Sequence, residues 1–325
     1  MTSGKTVSVV IQTYNRKDLL EKNLRALAAQ TLPAGMFEVI IVDDGSADGT
    51  GDFVRGFQAP YRIEYIYQEN GADIPRNVGG RAAKNDFIQF YDDDVIPQPG
   101  ALEATLRAHN RFDGPTAVIG SIQWAPEKKL TLFLRYAGKS GSMTGSNLIK
   151  NPDDVPFQFA LGGNFSVPRD IFMQSGGFDT DLKYYGYKDI EFGYRLKKAH
   201  GVRLVYAEDA VGDHWCCPEF EKFCERRELV GAHAVILYAK HPELSGFLKM
   251  DRIKRRGLFA TIERAALAAA NRFFRLIIPA LEAMPVLAPL RNFAYRLCIF
   301  YHYQKGVADY LKKIEGKKVP PYPAP

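Results

Sequence analysis

Hydrophobic and polar positions in the first 120 residues alternate between two periods. Short runs rich in Val, Ile, Phe and Tyr at residues 7–11, 38–42, 62–67, 87–91 and 116–122 predict strands. Between them the apolar spacing becomes helical. Residues 16–30 carry Leu19, Leu20, Asn23, Leu24 and Leu27 as an i, i+3, i+4 stripe. Residues 50–57, 75–84 and 99–110 follow the same pattern, and Pro99 suits a helix start. Strand–helix alternation predicts an α/β fold: a Rossmann-like, mostly parallel sheet with helices on both faces. In such sheets ligands bind beyond the carboxyl ends of the strands. Residues 121–245 are less regular and include Gly-Gly turns at 162–163 and 176–177.

From about residue 246 the pattern is helical again. Leu258, Phe259, Ile262, Ala266, Ala269, Phe273, Leu276, Ile277 and Leu281 recur at helical spacing, with Arg264, Arg272 and Arg275 elsewhere on the wheel. A second stripe, Leu290, Phe293, Leu297, Phe300, Tyr301, Val307 and Leu311, is accompanied by Arg291, Arg296, Lys305, Lys312 and Lys313. Pro279, Pro285 and Pro289 interrupt the most apolar part, which argues against a membrane span. The last six residues, PPYPAP, read as a disordered end. Three regions are expected: 1–120, 121–245 and a C-terminal helical region at 246–325.

Composition narrows the class. Of 325 residues 46% are apolar and 25% charged, ordinary globular usage that excludes wholesale disorder. Four cysteines, Cys216, Cys217, Cys224 and Cys298, lack a paired CxxC spacing and predict reduced thiols rather than a disulfide framework or structural zinc. The apolar run at 7–11 is too short for a signal-peptide core, so a cytoplasmic protein is expected. Residues 249–325 hold 15 Lys plus Arg against 5 Asp plus Glu, a net of +10 in a chain of +6, which leaves −4 for the remainder. The basic character belongs to the tail, so nucleic-acid binding spread over the chain is not expected.

Candidate chemistry gathers at the strand ends. Thr13, Tyr14, Asn15 and Arg16 follow the first strand; Asp43 and Asp44 end the second. Tyr can stack on a nucleobase and Asp can accept the imide N–H of uracil, although Asp44-Gly45-Ser46 equally suits a turn and helix N-cap. The fourth strand, FIQFY, runs into Asp92, Asp93 and Asp94. Period-two alternation sets Asp92 and Asp94 on one side of an extended segment. Three adjacent carboxylates repel unless something cationic sits among them. A hard divalent cation, Mg²⁺ or Mn²⁺, shared with a substrate's phosphates fits that need.

The segments VSVVIQTYNR, VIIVDDGSADGT, IPRNVGG, FIQFYDDD, LGGNFSVPRD, GGFD and YKDIEFGYRL resemble, in order and spacing, glycosyltransferase family 2 on a GT-A fold, over roughly residues 6–215. The resemblance implies a metal-dependent transferase that inverts the anomeric carbon of a nucleotide sugar. By it, Thr13, Tyr14 and Asp44 hold the nucleotide base with Asn15 and Asp43 beside them, and Arg76 lies near the nucleotide. Asp92, Asp93 and Asp94 correspond to the DxD region, with Asp94 on the metal. Asp189 is the catalytic carboxylate, and its place at a helix start also suits a favourable N-terminal charge. His214 falls where some relatives place a metal or diphosphate contact. Gly162, Gly163 and Asn164 suit close approach to a sugar or acceptor, or equally a turn, and Trp215 and Lys188 are acceptor-side candidates. Lys188 departs from the Glu that many relatives carry before the catalytic Asp, which bears on local charge and acceptor choice.

The implied activity is transfer from a UDP-linked donor to a hydroxyl of a saccharide or lipid-linked acceptor in cell-surface glycan synthesis. The basic amphipathic tail, residues 252–313, is expected to lie on an anionic membrane surface, placing the protein on the inner face of the cell membrane. Packing of these helices on the catalytic domain or a partner is the alternative. A processive polysaccharide synthase is disfavoured because QxxRW is lacking. A sugar nucleotidyltransferase would need a Gly-rich loop that QTYNRKD does not supply, and a catalytically dead nucleotide-sugar-binding scaffold is the non-enzyme rival.

Overall fold

The computed structural model describes residues 4–143, 145–182, 186–253 and 257–314, with the backbone alone at Arg252, Leu258, Phe259 and Ala260. The chain divides into two compact units. The first comprises residues 1–129, 138–180 and 189–217, and the second residues 130–137, 181–188 and 218–325. Among the described residues the strands are β1 (Val7–Thr13), β2 (Phe37–Asp43), β3 (Arg62–Tyr67), β4 (Phe87–Asp92), β5 (Val95–Pro97), β6 (Thr116–Trp124), β7 (Asn164–Pro168) and β8 (Arg203–His214). The helices are α1 (Lys17–Ala28), α2 (Thr50–Gly56), α3 (Pro75–Ala82), α4 (Ala101–His109), α5 (Leu132–Ser140), α6 (Arg169–Ser175), α7 (Lys188–His200) and α8 (Phe220–Lys240). After them come α9 (Ser245–Leu248), α10 (Met250–Ile253), α11 (Leu258–Ala283) and α12 (Ala288–Lys313).

In the first unit all eight strands form one sheet, in the order β3-β2-β1-β4-β7-β6-β8-β5. The sequences VSVVIQT and FEVIIVD are buried almost throughout, because a parallel strand covered on both faces is apolar on both. Val10, Ile40, Val42, Ile88 and Phe90 pack on one side with Phe172, Phe178 and Phe192. Val9, Ile11, Val39, Ile41 and Tyr91 pack on the other with Leu20, Leu24, Leu27, Leu102 and Leu106. Each such side chain contributes roughly 1.5–3 kcal/mol of burial. β3, β2, β1 and β4 are parallel, as the alternation predicts. The rest of the sheet is mixed: β7 runs antiparallel to both β4 and β6, and β5 antiparallel to β8.

Two departures from the sequence pattern shape the crevice. α1 begins at Lys17 because Asn15 adopts a left-handed φ of 51°, which leaves Arg16 outside the helix. Asn23 belongs to the apolar stripe of α1 by spacing, yet its Nδ2 donates to the carbonyls of Val95 (3.0 Å) and Asp92 (3.3 Å). It pins the turn between β4 and β5 from below.

In the second unit α12 lies along α8 at very close range. A Cβ on Gly231 would stand 2.2 Å from the Tyr303 carbonyl oxygen, and one on Gly306 2.0 Å from that of Glu228. Phe133, Phe220, Phe223 and Tyr295 form a ring cluster, with Phe133 at 5.1, 5.2 and 5.4 Å from the other three. The face of α12 that packs is not the expected stripe: of that stripe only Val307 is buried, and Tyr295, Cys298, Tyr303 and Tyr310, on another side of the helix, are buried instead. By contrast Ile262, Phe273, Leu276, Met284, Val286, Leu290 and Phe293 stay exposed. Lys254, Arg255, Arg256, the side chains of Arg252, Leu258 and Phe259, and the PPYPAP end fall outside the described residues. No helix among the described residues is long and apolar enough to cross a membrane.

Candidate active site

The crevice opens at the carboxyl ends of β1, β2 and β4, where parallel register brings Thr13 opposite Asp43 and Gln12 opposite Asp92. Asn15 latches the loops after β1 and β2: its N–H donates to Ser46 Oγ (2.8 Å) and its Oδ1 accepts from the Ala47 N–H (2.8 Å). Tyr14, between Thr13 and that latch, is 49% exposed and presents a ring at the mouth. Asp43 is wholly buried and already engaged, accepting from the Ser46 N–H (2.8 Å) and the Tyr65 hydroxyl (2.7 Å). Asp44 accepts from Gln68 and from the Gly71 N–H through Oδ1, and its Oδ2 has no partner among the described residues. Of the two, Asp44 can accept from a ligand.

The three aspartates do not lie along an extended strand. The chain turns at Asp93 and Asp94, so the expected alternation of Asp92 and Asp94 gives way to a different grouping. Asp93 Oδ1 and Asp94 Oδ2 share Arg16 Nη1, both at 2.9 Å, and Thr13 Oγ1 donates to Asp93 Oδ2 (3.0 Å). Asp92 Oδ1 turns instead to Arg76 Nη2 (2.6 Å) and Gln12 Nε2 (3.0 Å). Burial pushes the Asp93 carboxyl up to about 7; Arg16 opposes this, and Asp94 and Asp92 reinforce it.

Arg76 is 2% exposed and joins two distant motifs. Its Nη1 donates to Asp189 Oδ1 (2.6 Å), across 113 residues of chain, while Nη2 holds Asp92. Burial alone would lower its basicity, but Asp189 and Asp92 outweigh that and raise it. The Gly162–Gly163 turn makes the pairing sterically feasible. A Cβ on Gly162 would stand 2.1 Å from Arg76 Nη1 and 2.7 Å from Asp189 Oδ1, and one on Gly163 3.0 Å from Asp92 Oδ2. Asn164 is different. Its buried amide donates to the carbonyls of Ser121 (3.0 Å) and Ala210 (2.8 Å) and accepts from Gln89 (3.0 Å), so it fastens the sheet. Lys188 belongs to the second unit.

Antiparallel pairing of β5 with β8 sets Val95 opposite His214, and the Trp215 N–H donates to the Asp94 carbonyl (2.8 Å). His214 Nε2 consequently faces Asp94 Oδ1 at 3.7 Å, too long for a hydrogen bond. That oxygen is not the one Arg16 takes. An imidazole nitrogen and a carboxylate oxygen across such a gap fit a Mn²⁺-type donor set. Charge agrees: Asp92, Asp93, Asp94 and Asp189 face two guanidiniums, which leaves an excess that a divalent cation would offset. No group of three or more His, Cys, Asp and Glu side chains forms a ready cation cage among the described residues. Further coordination would fall to substrate phosphates and water.

Sequence reasoning assigned the cationic role at the aspartates to a metal and missed the protein's own contribution. Arg16 was visible as the last residue of QTYNR, and the repulsion among three adjacent acids was the signal. Two lysines over Trp215, Lys22 at 4.6 Å and Lys128 at 5.1 Å from the ring centre, carried no comparable signal, since they are distant in sequence.

A carboxylate-lined crevice at the carboxyl ends of a doubly wound, mixed sheet is the GT-A architecture. The chain belongs to glycosyl transferase family 2, whose model matches residues 8–176, more than half of its length. It is similar to validoxylamine A glucosyltransferase of Streptomyces hygroscopicus subsp. jinggangensis, 30% identical over 296 residues, covering 79% of this chain and 66% of that relative. The chain thus spans just under two thirds of that relative's length. Two solved structures share the fold. One is the mannosyltransferase PcManGT from Pyrobaculum calidifontis in complex with GDP-Man and Mn²⁺ (TM-score 0.61, 20% identity, 95% of this chain and 88% of that one). The other is S. aureus TarS 1-349 in complex with UDP (TM-score 0.53, 18% identity, 95% and 92%).

Proposed function

We propose that the chain moves a sugar, with inversion, from a UDP-linked donor to a hydroxyl of a saccharide or lipid-linked acceptor in cell-surface glycan synthesis. The carrying observation is Arg76, a buried guanidinium that ties Asp92 of the DxD region to Asp189. Residues 1–120 serve the nucleotide: Tyr14 stacks on the base, Asp44 accepts its imide N–H, and Thr13 holds Asp93 in place. Asp94 and His214 would hold the divalent cation, Mn²⁺ or Mg²⁺. When bound, that cation offsets the charge growing on the departing diphosphate. Asp189, 20% exposed, keeps Oδ2 without a partner among the described residues and removes the acceptor's proton. A positioned base of this kind contributes ~10²–10⁴-fold. Arg76 fixes that carboxylate at the edge of the donor site. The Gly163 backbone and Trp215 are nearest in role on the acceptor side. Residues 252–313 hold the protein against an anionic membrane surface, on the inner face of the cell membrane, through basic side chains and the exposed Ile262, Phe273 and Leu276.

Asp189→Asn tests this reading. Turnover of a UDP-sugar with Mn²⁺ is expected to fall by ~10²–10⁴-fold while UDP-sugar binding, followed by calorimetry, is retained. A variant that turns over like the wild type, or a wild type whose donor turnover Mn²⁺ does not stimulate, overturns it.

A further inference from the structure

The second unit contains a pocket of about 570 Å³, well within the range of small-molecule sites. Among the described residues its lining includes Arg227, Lys249 and Arg296, no Asp or Glu, and otherwise aliphatic and aromatic side chains. None of these three cations has a carboxylate partner among the described residues. Each lies over a ring instead: Arg227 over Tyr303 at 5.7 Å, Lys249 over Phe300 at 5.3 Å, and Arg296 over Phe293 at 5.6 Å. Lys249 and Arg296 are exposed and Arg227 half-buried, so water screens their mutual repulsion; an anion seated among the three is attracted by all of them.

Two further features point the same way. Arg227 Nε is a buried donor with no acceptor among the described residues. Buried donors of this kind are costly unless something accepts from them. Lys249 closes α9 with a left-handed φ of 57°, and its amine lies against the Phe300 wall of the pocket. A neighbouring groove of about 450 Å³ in the same unit provides the contrast. There Lys222, Arg226 and Lys313 share the lining with Glu225, Glu228 and Asp309, and Lys222 pairs with Glu225 at 3.0 Å.

We propose that the 570 Å³ pocket binds a long-chain alkyl or isoprenyl phosphate, with the phosphate among Arg227, Lys249 and Arg296 and the chain against Phe293, Phe300 and the aliphatic wall. Arginine and lysine supply charge-assisted donors to the phosphate oxygens. The chain leaves past Phe293, which is 43% exposed, toward the exposed Leu290 and Met284. A free anion would leave the apolar wall unused, and a neutral amphiphile would leave the three cations unmet. None of these residues lies in the crevice, so the assignment stands apart from the catalytic reading.

The test is the melting temperature of the full chain titrated with dodecyl phosphate below its critical micelle concentration, beside inorganic phosphate and dodecyl maltoside. A saturable rise is expected with dodecyl phosphate alone. Its apparent affinity is expected to fall roughly tenfold or more in Arg227→Gln and in Lys249→Gly. The glycine variant relieves the left-handed backbone, so its loss of binding cannot be ascribed to misfolding. An equal rise with inorganic phosphate, an equal rise with dodecyl maltoside, or unchanged affinity in both variants overturns the proposal.

Discussion

Arg76 shows how a single side chain can make a site out of separate motifs. Fully buried, it is kept charged by Asp92 and Asp189, and each of those acids has a share of its repulsion relieved in return. The pairing exists because Gly162 offers no Cβ to obstruct it. Local sequence could mark Arg76 as basic and Asp189 as acidic, but not that the two meet, since 113 residues separate them. Elsewhere at this scale a buried titratable group governs acid stability. His109 stacks on Phe87 at 4.0 Å and meets Ser166 Oγ through Nε2 (2.8 Å), and burial pushes it down to about 3. Folded, it stays neutral where the unfolded chain's histidine takes up a proton, so its contribution is complete above about pH 6.5 and is lost as pH falls toward 3. Urea unfolding at pH 7 and pH 4 is expected to show His109→Gln losing less stability over that interval than the wild type, by on the order of 3 kcal/mol.

The strands and helices of the first 120 residues were legible because their apolar periods are clean. Turns were harder to read. Nothing in the spacing of Asp92, Asp93 and Asp94 announces that the chain reverses there; the turn is imposed by Asn23 below and by β5 pairing with β8. The antiparallel insertion of β7 was equally hidden, because a short strand reads the same in either direction. In the second unit the helical character of α12 was legible, but the face it buries was not, since of the expected stripe only Val307 is buried. Gly231 and Gly306 let α8 and α12 approach until backbone meets backbone, and a glycine within a helix looks from sequence like a weakness. Gly306→Ala should force the two apart. The expected cost is about 1–3 kcal/mol from overpacking, less the gain from better helix propensity, read as a lower urea midpoint.

Across the molecule, charge is divided: residues 249–325 carry +10 and residues 1–248 carry −4. The negative part holds a crevice in which Arg16 and Arg76 pair with the carboxylates of Asp92, Asp93, Asp94 and Asp189. The positive part exposes Phe273, Leu276, Val286 and Leu290 alongside its basic side chains. If this surface meets lipid through charge, the purified chain should sediment with vesicles rich in phosphatidylglycerol at low ionic strength. It should be released as salt rises to ~1 M, where the Debye length is ~3 Å. Retention at high salt, or equal binding to neutral vesicles, would contradict an electrostatic contact.

The fixed register of β1, β2 and β4 has a consequence for how relatives diverge. Because Gln12, Asp43 and Asp92 sit on neighbouring parallel strands, the floor of the crevice is held as one indivisible piece. The contributors above it, such as the turn at 162–163 and the segment after β8, arrive on connections that can be exchanged one at a time. Loops can thus be traded over an unaltered base.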